Sequence, residues 1–146
     1  MQVKARAAAV THARRMIAPP PTTADANRLA TALAATAATL LTAMVAITAA
    51  TGVAQEPFEV IRPDYLPAIA AGAPALRAIV ALDALFLIAY AGFFVMLPRA
   101  LGVAGDPLVR LGVRAMLAVA VLDMIEDHHL LAVAKAAEAG LPVDGT

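Results

Sequence analysis

Leu29–Val53 reads LATALAATAATLLTAMVAITAATGV, twenty-five consecutive residues without a charge. About 20 apolar residues in helical form cross the hydrocarbon core of a bilayer. The only polar side chains in the stretch are Thr31, Thr36, Thr39, Thr42, Thr48 and Thr51. A helical threonine can return its hydroxyl to a carbonyl of its own preceding turn. The core helix of a water-soluble domain ordinarily keeps a polar stripe for water, and this stretch has none. It predicts a membrane-spanning helix, against the competing expectation of a soluble helical domain with unusually apolar helices.

Two further apolar stretches extend the reading. One runs from Leu76 to Leu97, bracketed by Arg77 and Arg99 and interrupted by a single acid, Asp83. The other runs from Leu108 to about residue 130; its uninterrupted part, Ala115–Leu122, is short and is followed at once by Asp123-Met124-Ile125-Glu126-Asp127-His128-His129. A third span of this kind needs partners for its polar groups. The whole composition agrees: 62% of the 146 residues are hydrophobic and 15% charged, where an average soluble domain has about 45–50% and about 25%. The expected fold class is all-α, a small integral membrane helical bundle of about three transmembrane helices. The expected layout is a basic leader over 1–28, a transmembrane domain over 29–134 (spans 29–53, 76–97 and 108–130) and a short tail over 135–146.

Charge and composition exclude several classes. Eleven Lys and Arg balance eleven Asp and Glu, so no global field points to nucleic acid. No cysteine is present, which removes disulfides, thiolate metal sites and a cysteine nucleophile. The sequence contains no phosphate-binding G-x-x-x-x-G-K-[ST] loop, no G-x-S-x-G elbow and no H-E-x-x-H helix. No catalytic residue is assigned.

Loop charges set an orientation. Lys4, Arg6, Arg14, Arg15 and Arg28 precede the first span, and Arg99 and Arg110 flank the turn between the second and third. Lys and Arg near span ends favour the cytoplasmic side, which places the amino terminus inside and the carboxyl terminus outside. The expected location is an integral one in a bacterial inner (cell) membrane. The Arg14-Arg15 pair and the small residues Gly52-Val53-Ala54 also raise a cleaved secretory signal, but the apolar run exceeds the usual 7–15 residues of a signal core. Three spans with an abrupt polar end also suit a piece of a longer chain.

Residues 1–18 suit a short basic leader, ended by Pro19-Pro20-Pro21, and Asp25 is the best-placed cap for the first long helix. Pro57, Pro63, Pro67 and Pro74 predict an irregular outer loop over 54–75, with at most a short interfacial helix at 64–71. Phe58 and Tyr65 would stand at headgroup level. Ala30, Ala34 and Ala38 form a small-residue stripe, and Gly92 and Gly112 allow close approach of helices.

Acids inside the apolar stretches carry the functional expectation. An Asp at the middle of a membrane helix costs about 2.5–3.5 kcal/mol on insertion scales, and such groups normally face an interior or a watery cavity. Helical rise puts Asp83 ~10 Å from the outer end of the second span and Asp123 ~8 Å from that of the third. Two antiparallel neighbours would then carry acids at matching depth. Asp123, Glu126 and Asp127 share one helical face, and His129 stands one turn from Glu126. The expected ion- or proton-binding set is Asp83, Asp123, Glu126, His129 and Tyr90, the last on a stripe with Phe86 and Phe94. Carboxyl groups brought out of water side by side favour sharing a proton. The plainer expectation is an interhelical contact between Asp83 and Asp123, with Glu126, Asp127 and both histidines hydrated at the outer interface.

Glu126-x-x-His129 resembles the ligand motif of ferritin-like di-iron carboxylate bundles, although it occurs once and covers four residues. The resemblance implies a metal site at Glu126 and His129, with a metal cation as the one cofactor to consider. Arg110 and Arg114, an i, i+4 pair at the inner end of the third span, are expected to anchor to lipid headgroups. Three functional expectations follow: a small transport-type protein handling protons or cations, a non-catalytic accessory subunit of a membrane complex, or a membrane-bound metal-dependent enzyme. The partners expected are the lipid bilayer and either a second copy or a partner membrane subunit, with no nucleic acid.

Overall fold

The computed structural model describes residues 22–55 and 65–141, and these form three helices: α1 (Thr23–Thr51), α2 (Tyr65–Ala100) and α3 (Pro107–Glu138). Residues 1–21 of the expected leader with its proline triplet, Phe58 and the end of the tail lie outside the described residues, whereas residues 23–28 belong to α1. The chain is all-helical there, and α1 and α2 are each long and apolar enough to cross a membrane.

α1 starts six residues earlier than its apolar run. Thr22, not Asp25, is the N-cap: its hydroxyl accepts from the Asp25 backbone N–H at 3.2 Å, and the Asp25 carboxylate accepts from the Thr22 N–H at 3.2 Å. This reciprocal pair satisfies two of the donors that any helix start leaves open. Along α1, Thr39, Thr42 and Thr51 donate to the carbonyls of Ala35, Ala38 and Ile47, so these hydroxyls need nothing from the surroundings. The helix stops at Gly52, whose φ of 69° lies in the left-handed region that glycine enters without a Cβ clash.

The residues expected as the outer loop are helical from Tyr65 onward, so α2 begins eleven residues before the expected span boundary at Leu76. Pro67 sits in the first turn, where its missing N–H would have had no intrahelical partner. Pro74 is interior and removes one hydrogen bond. Offsetting that loss, Ile69, Ala73, Leu76 and Val80 pack against Leu130 and Ala134 of α3 in the main buried cluster, with Val53 laid against it. α3 likewise runs past His129 to Glu138, so the expected tail begins as helix, and Glu138 pairs with Arg77 of α2. The turn between α2 and α3 is short. Gly102 takes φ 72°, and the Asp106 carboxylate accepts from the N–H groups of Leu108 and Val109 ahead of Pro107.

α2 packs on both neighbours, whereas α1 and α3 make almost no direct contact. The helices thus lie side by side with α2 in the middle. The face of α1 on α2 carries Ala26, Ala30, Ala37 and Met44. Ala34 is only half-buried and Ala38 is exposed, so the small-residue stripe is rotated from the expected one. Leu33 lies against Gly92, where an added Cβ would stand 3.2 Å from its Cδ1; Gly112 faces open space.

Exposure divides the molecule into two ends. Toward the α2–α3 turn, large apolar side chains are exposed: Leu85 and Ile88 on α2, and Leu108, Leu111, Val119, Leu122 and Ile125 among those on α3. From Leu66 to Ala84 and from Glu126 to Gly140, every Leu, Ile and Val is buried or half-buried, and the exposed positions hold small or polar residues such as Arg77, Glu126, His128, His129 and Lys135. The second pattern is that of helices in water. The first leaves a wide apolar belt of a kind that soluble monomers rarely carry. On α3 the exposed apolar side chains run from Leu108 to Ile125, ~26 Å at 1.5 Å per residue, close to a ~30 Å hydrocarbon core; on α2 they are Leu85 and Ile88, and Ala91–Leu97 is half-buried.

Candidate functional site

The boundary between the two ends is occupied by acids. Asp83 lies in the middle of α2, two residues before Leu85, where the exposed apolar side chains begin. Asp127 lies on α3 just past Ile125 and is 3% exposed, the one buried charged side chain among the described residues. It belongs to the stripe Ala120, Asp127, Leu130, Ala134 that faces α2. The Asp83 carboxyl lies close enough to that of Asp127 for the two to act on each other across the α2–α3 seam. Asp123 is near enough for its charge to act on Asp83, and Glu126 for its charge to act on Asp127.

A third element completes the site. The left-handed turn at Gly52 releases the chain from α1, and Val53 settles against the α2–α3 cluster. Two residues later, Gln55 Nε2 donates to Asp127 Oδ1 at 2.7 Å. The other oxygen, Asp127 Oδ2, is buried without a fixed donor. Buried carboxylate oxygens normally have partners, because desolvation without a hydrogen bond is costly. The Asp83 carboxyl alongside offers only acceptors when ionised, so a hydrogen bond between the two acids needs one proton shared between them.

The expected residues separate into groups. Asp83 is brought into the site. Asp123 is half-buried beside it, but the direct partner of Asp83 is Asp127, one turn farther along α3. The hydrated-interface expectation for Asp127 is therefore corrected: the α2-facing rotation of α3 buries it. Glu126, His128 and His129 are exposed on the outer face, with the two imidazole rings 6.3 Å apart. Among the described residues, no three His, Asp or Glu side chains gather closely enough to hold a metal ion. Tyr90 stands ~10 Å along α2 from Asp83. Its ring is held between Phe86 at 5.5 Å and Phe94 at 4.7 Å, which confirms the aromatic stripe and makes Tyr90 part of α2 packing. Arg110 and Arg114 are exposed near the turn, at the opposite end of the belt.

Gln55 went unanticipated. Its amide follows the first apolar run directly, but only the chain reversal at Gly52 aims it at α3. Searches among known protein families, curated proteins and solved structures return no match to this chain.

Proposed function

We propose that the chain is an integral membrane protein with three spans and a cytoplasmic amino terminus, and that it handles protons through the Asp83–Asp127 pair. The observation that carries the proton reading is Asp127 Oδ2, buried, lacking a fixed donor and set beside a second carboxyl group. A proton needs only two facing oxygens, whereas a metal cation needs a larger ligand set than these residues gather. α3 falls short of the apolar length and composition that α1 and α2 reach, and the third span rests on its exposed large apolar side chains from Leu108 to Ile125. With Arg99, Arg110 and Arg114 at the inner surface, the acids stand ~20–25 Å away along their helices, toward the outer edge of the hydrocarbon. That position supports proton exchange with the outer aqueous side.

Among the described residues one chain encloses no continuous path, since α1 and α3 flank α2 without closing on each other. A second copy or a partner membrane subunit is the natural complement to the open sides. The same openness favours the accessory-subunit reading, in which the pair is an interhelical contact. Reconstitution separates the two. The full chain is placed in vesicles carrying a pH-sensitive dye, and a pH step is imposed. The proton reading expects faster equilibration than in empty vesicles, lost in both Asp83→Asn and Asp127→Asn while assembly is unchanged. Equilibration no faster than in empty vesicles removes it. Loss of assembly in Asp83→Asn supports the accessory reading instead.

A further inference from the structure

At the opposite end of the belt from the acids, Arg99 of α2 and Arg110 and Arg114 of α3 line one cavity of about 240 Å³ beside the turn. Its other walls are apolar, including Val95, Pro98 and Val113, and no carboxylate lines it. The nearest acid in sequence, Asp106, is committed to capping α3. Arg99 donates one N–H to the Val95 carbonyl at 2.8 Å, which fixes the side chain and leaves its remaining donors available. Three arginines thus line one cavity, and no carboxylate is among its walls.

A second cavity of about 410 Å³ lies across the same seam, which Pro98, Val109 and Val113 form for both. Its lining is almost entirely apolar and includes Phe94, Leu97, Leu101 and Met116. The absent side chain of Gly112 contributes open space there. The seam itself is loosely filled, since no residue of α3 before Ala120 is buried. A charged cavity and an apolar groove thus adjoin at the end of the exposed belt, where a lipid's headgroup and chain would meet the protein.

We propose that the Arg99–Arg110–Arg114 cavity binds the headgroup of a doubly anionic phospholipid, with an acyl chain in the adjoining groove. Charge complementarity selects the ligand. Arginine pairs with phosphate oxygens in forked, two-bond geometry, and three arginines match a phosphomonoester better than a singly charged phosphodiester. Basic pockets between helices on the cytoplasmic side are suited to such headgroups. The inference rests on the membrane reading and is independent of the carboxyl pair.

The test uses the full chain in neutral phosphatidylcholine vesicles doped with either phosphatidic acid or phosphatidylglycerol, with flotation confirming incorporation. Lipid retained on detergent extraction is counted by native mass spectrometry. The wild type is expected to retain phosphatidic acid about 10-fold over phosphatidylglycerol, with each Arg→Gln change at 99, 110 or 114 costing about fivefold. Arg110→Lys/Arg114→Lys should keep total anionic lipid while losing the preference, which a merely structural change would not do. Arg77→Gln, at the far end, should leave both unchanged. Equal retention of the two lipids, or Arg110→Gln/Arg114→Gln matching Arg77→Gln, overturns the proposal. Displacement of the lipid by millimolar glycerol phosphate assigns the cavity to a soluble phosphate and overturns the lipid assignment. Failure to float with vesicles overturns the membrane reading as well.

Discussion

Replacing Asp127 tests whether a proton joins the two acids. Alanine there removes the acceptor of the 2.7 Å bond from Gln55 and the neighbour of Asp83. A hydrogen bond to a charged group contributes about 1.5–3 kcal/mol in water-soluble proteins, while interhelical bonds in membranes average ~0.6 and reach ~1.7 kcal/mol. The pair stands where those two settings meet, so Asp127→Ala is expected to cost about 1–2.5 kcal/mol. Asparagine has nearly the same shape: its carbonyl can accept from Gln55 while its NH2 donates to Asp83, as a protonated acid would. Asp127→Asn should therefore lie within ~0.5 kcal/mol of the wild type. Reversible unfolding in mixed micelles, followed by helical circular dichroism, measures both. A double-mutant cycle with Gln55→Ala should return a coupling of ~0.6–1.7 kcal/mol. If asparagine costs as much as alanine, no proton bridges the acids. If the cycle couples by less than ~0.3 kcal/mol, Gln55 does not hold Asp127 and the site loses its third element.

The two-ended surface predicts opposite tolerance to charge: Val119→Lys, within the belt, should cost about 2.5–3.5 kcal/mol of insertion, while Ala132→Lys, also exposed, should change stability by less than ~0.5 kcal/mol. Insertion scored by reporter glycosylation checks this, and equal tolerance at the two sites counts against a third span. Leu76→Ala, at a fully buried position in the water-patterned end, should cost about 2.7–5 kcal/mol in the micelle unfolding assay; a loss of ~1.5 kcal/mol, the cavity part alone at ~24 cal/mol per Å³, would place this end in lipid. At Gly92, alanine needs Leu33 to give by only a few tenths of an ångström, so its effect should be small. Valine should force α1 and α2 apart at a cost of about 1–3 kcal/mol, seen as reduced stability in the same assay; an unchanged valine variant refutes the close approach.

Helix content was legible because the apolar runs leave no polar side for a strand or loop to present to water, and the threonines of α1 indeed serve their own carbonyls. Boundaries were less legible. Thr22 displaced Asp25 as the cap because a hydroxyl and a carboxylate three residues apart satisfy two donors together. Pro74 argued for a loop, yet the buried stripe of Ile69, Ala73, Leu76 and Val80 outweighs one lost hydrogen bond. Half of the carboxyl pair was readable: Asp83 stands alone in an apolar run, and nothing local conceals it. Its partner was not, since Asp123, Glu126 and Asp127 share a face and only the rotation of α3 about its axis selects one.

From its residues alone, this chain had long apolar runs that call for helices, with acids and arginines at defined distances from the turn, because helical rise converts spacing into depth. Tertiary packing decided which acid is buried, that Gln55 turns back to meet it, and that three arginines share a cavity. Those outcomes depend on how helices rotate and on where Gly52 redirects the chain, and neither is encoded in any single segment's composition.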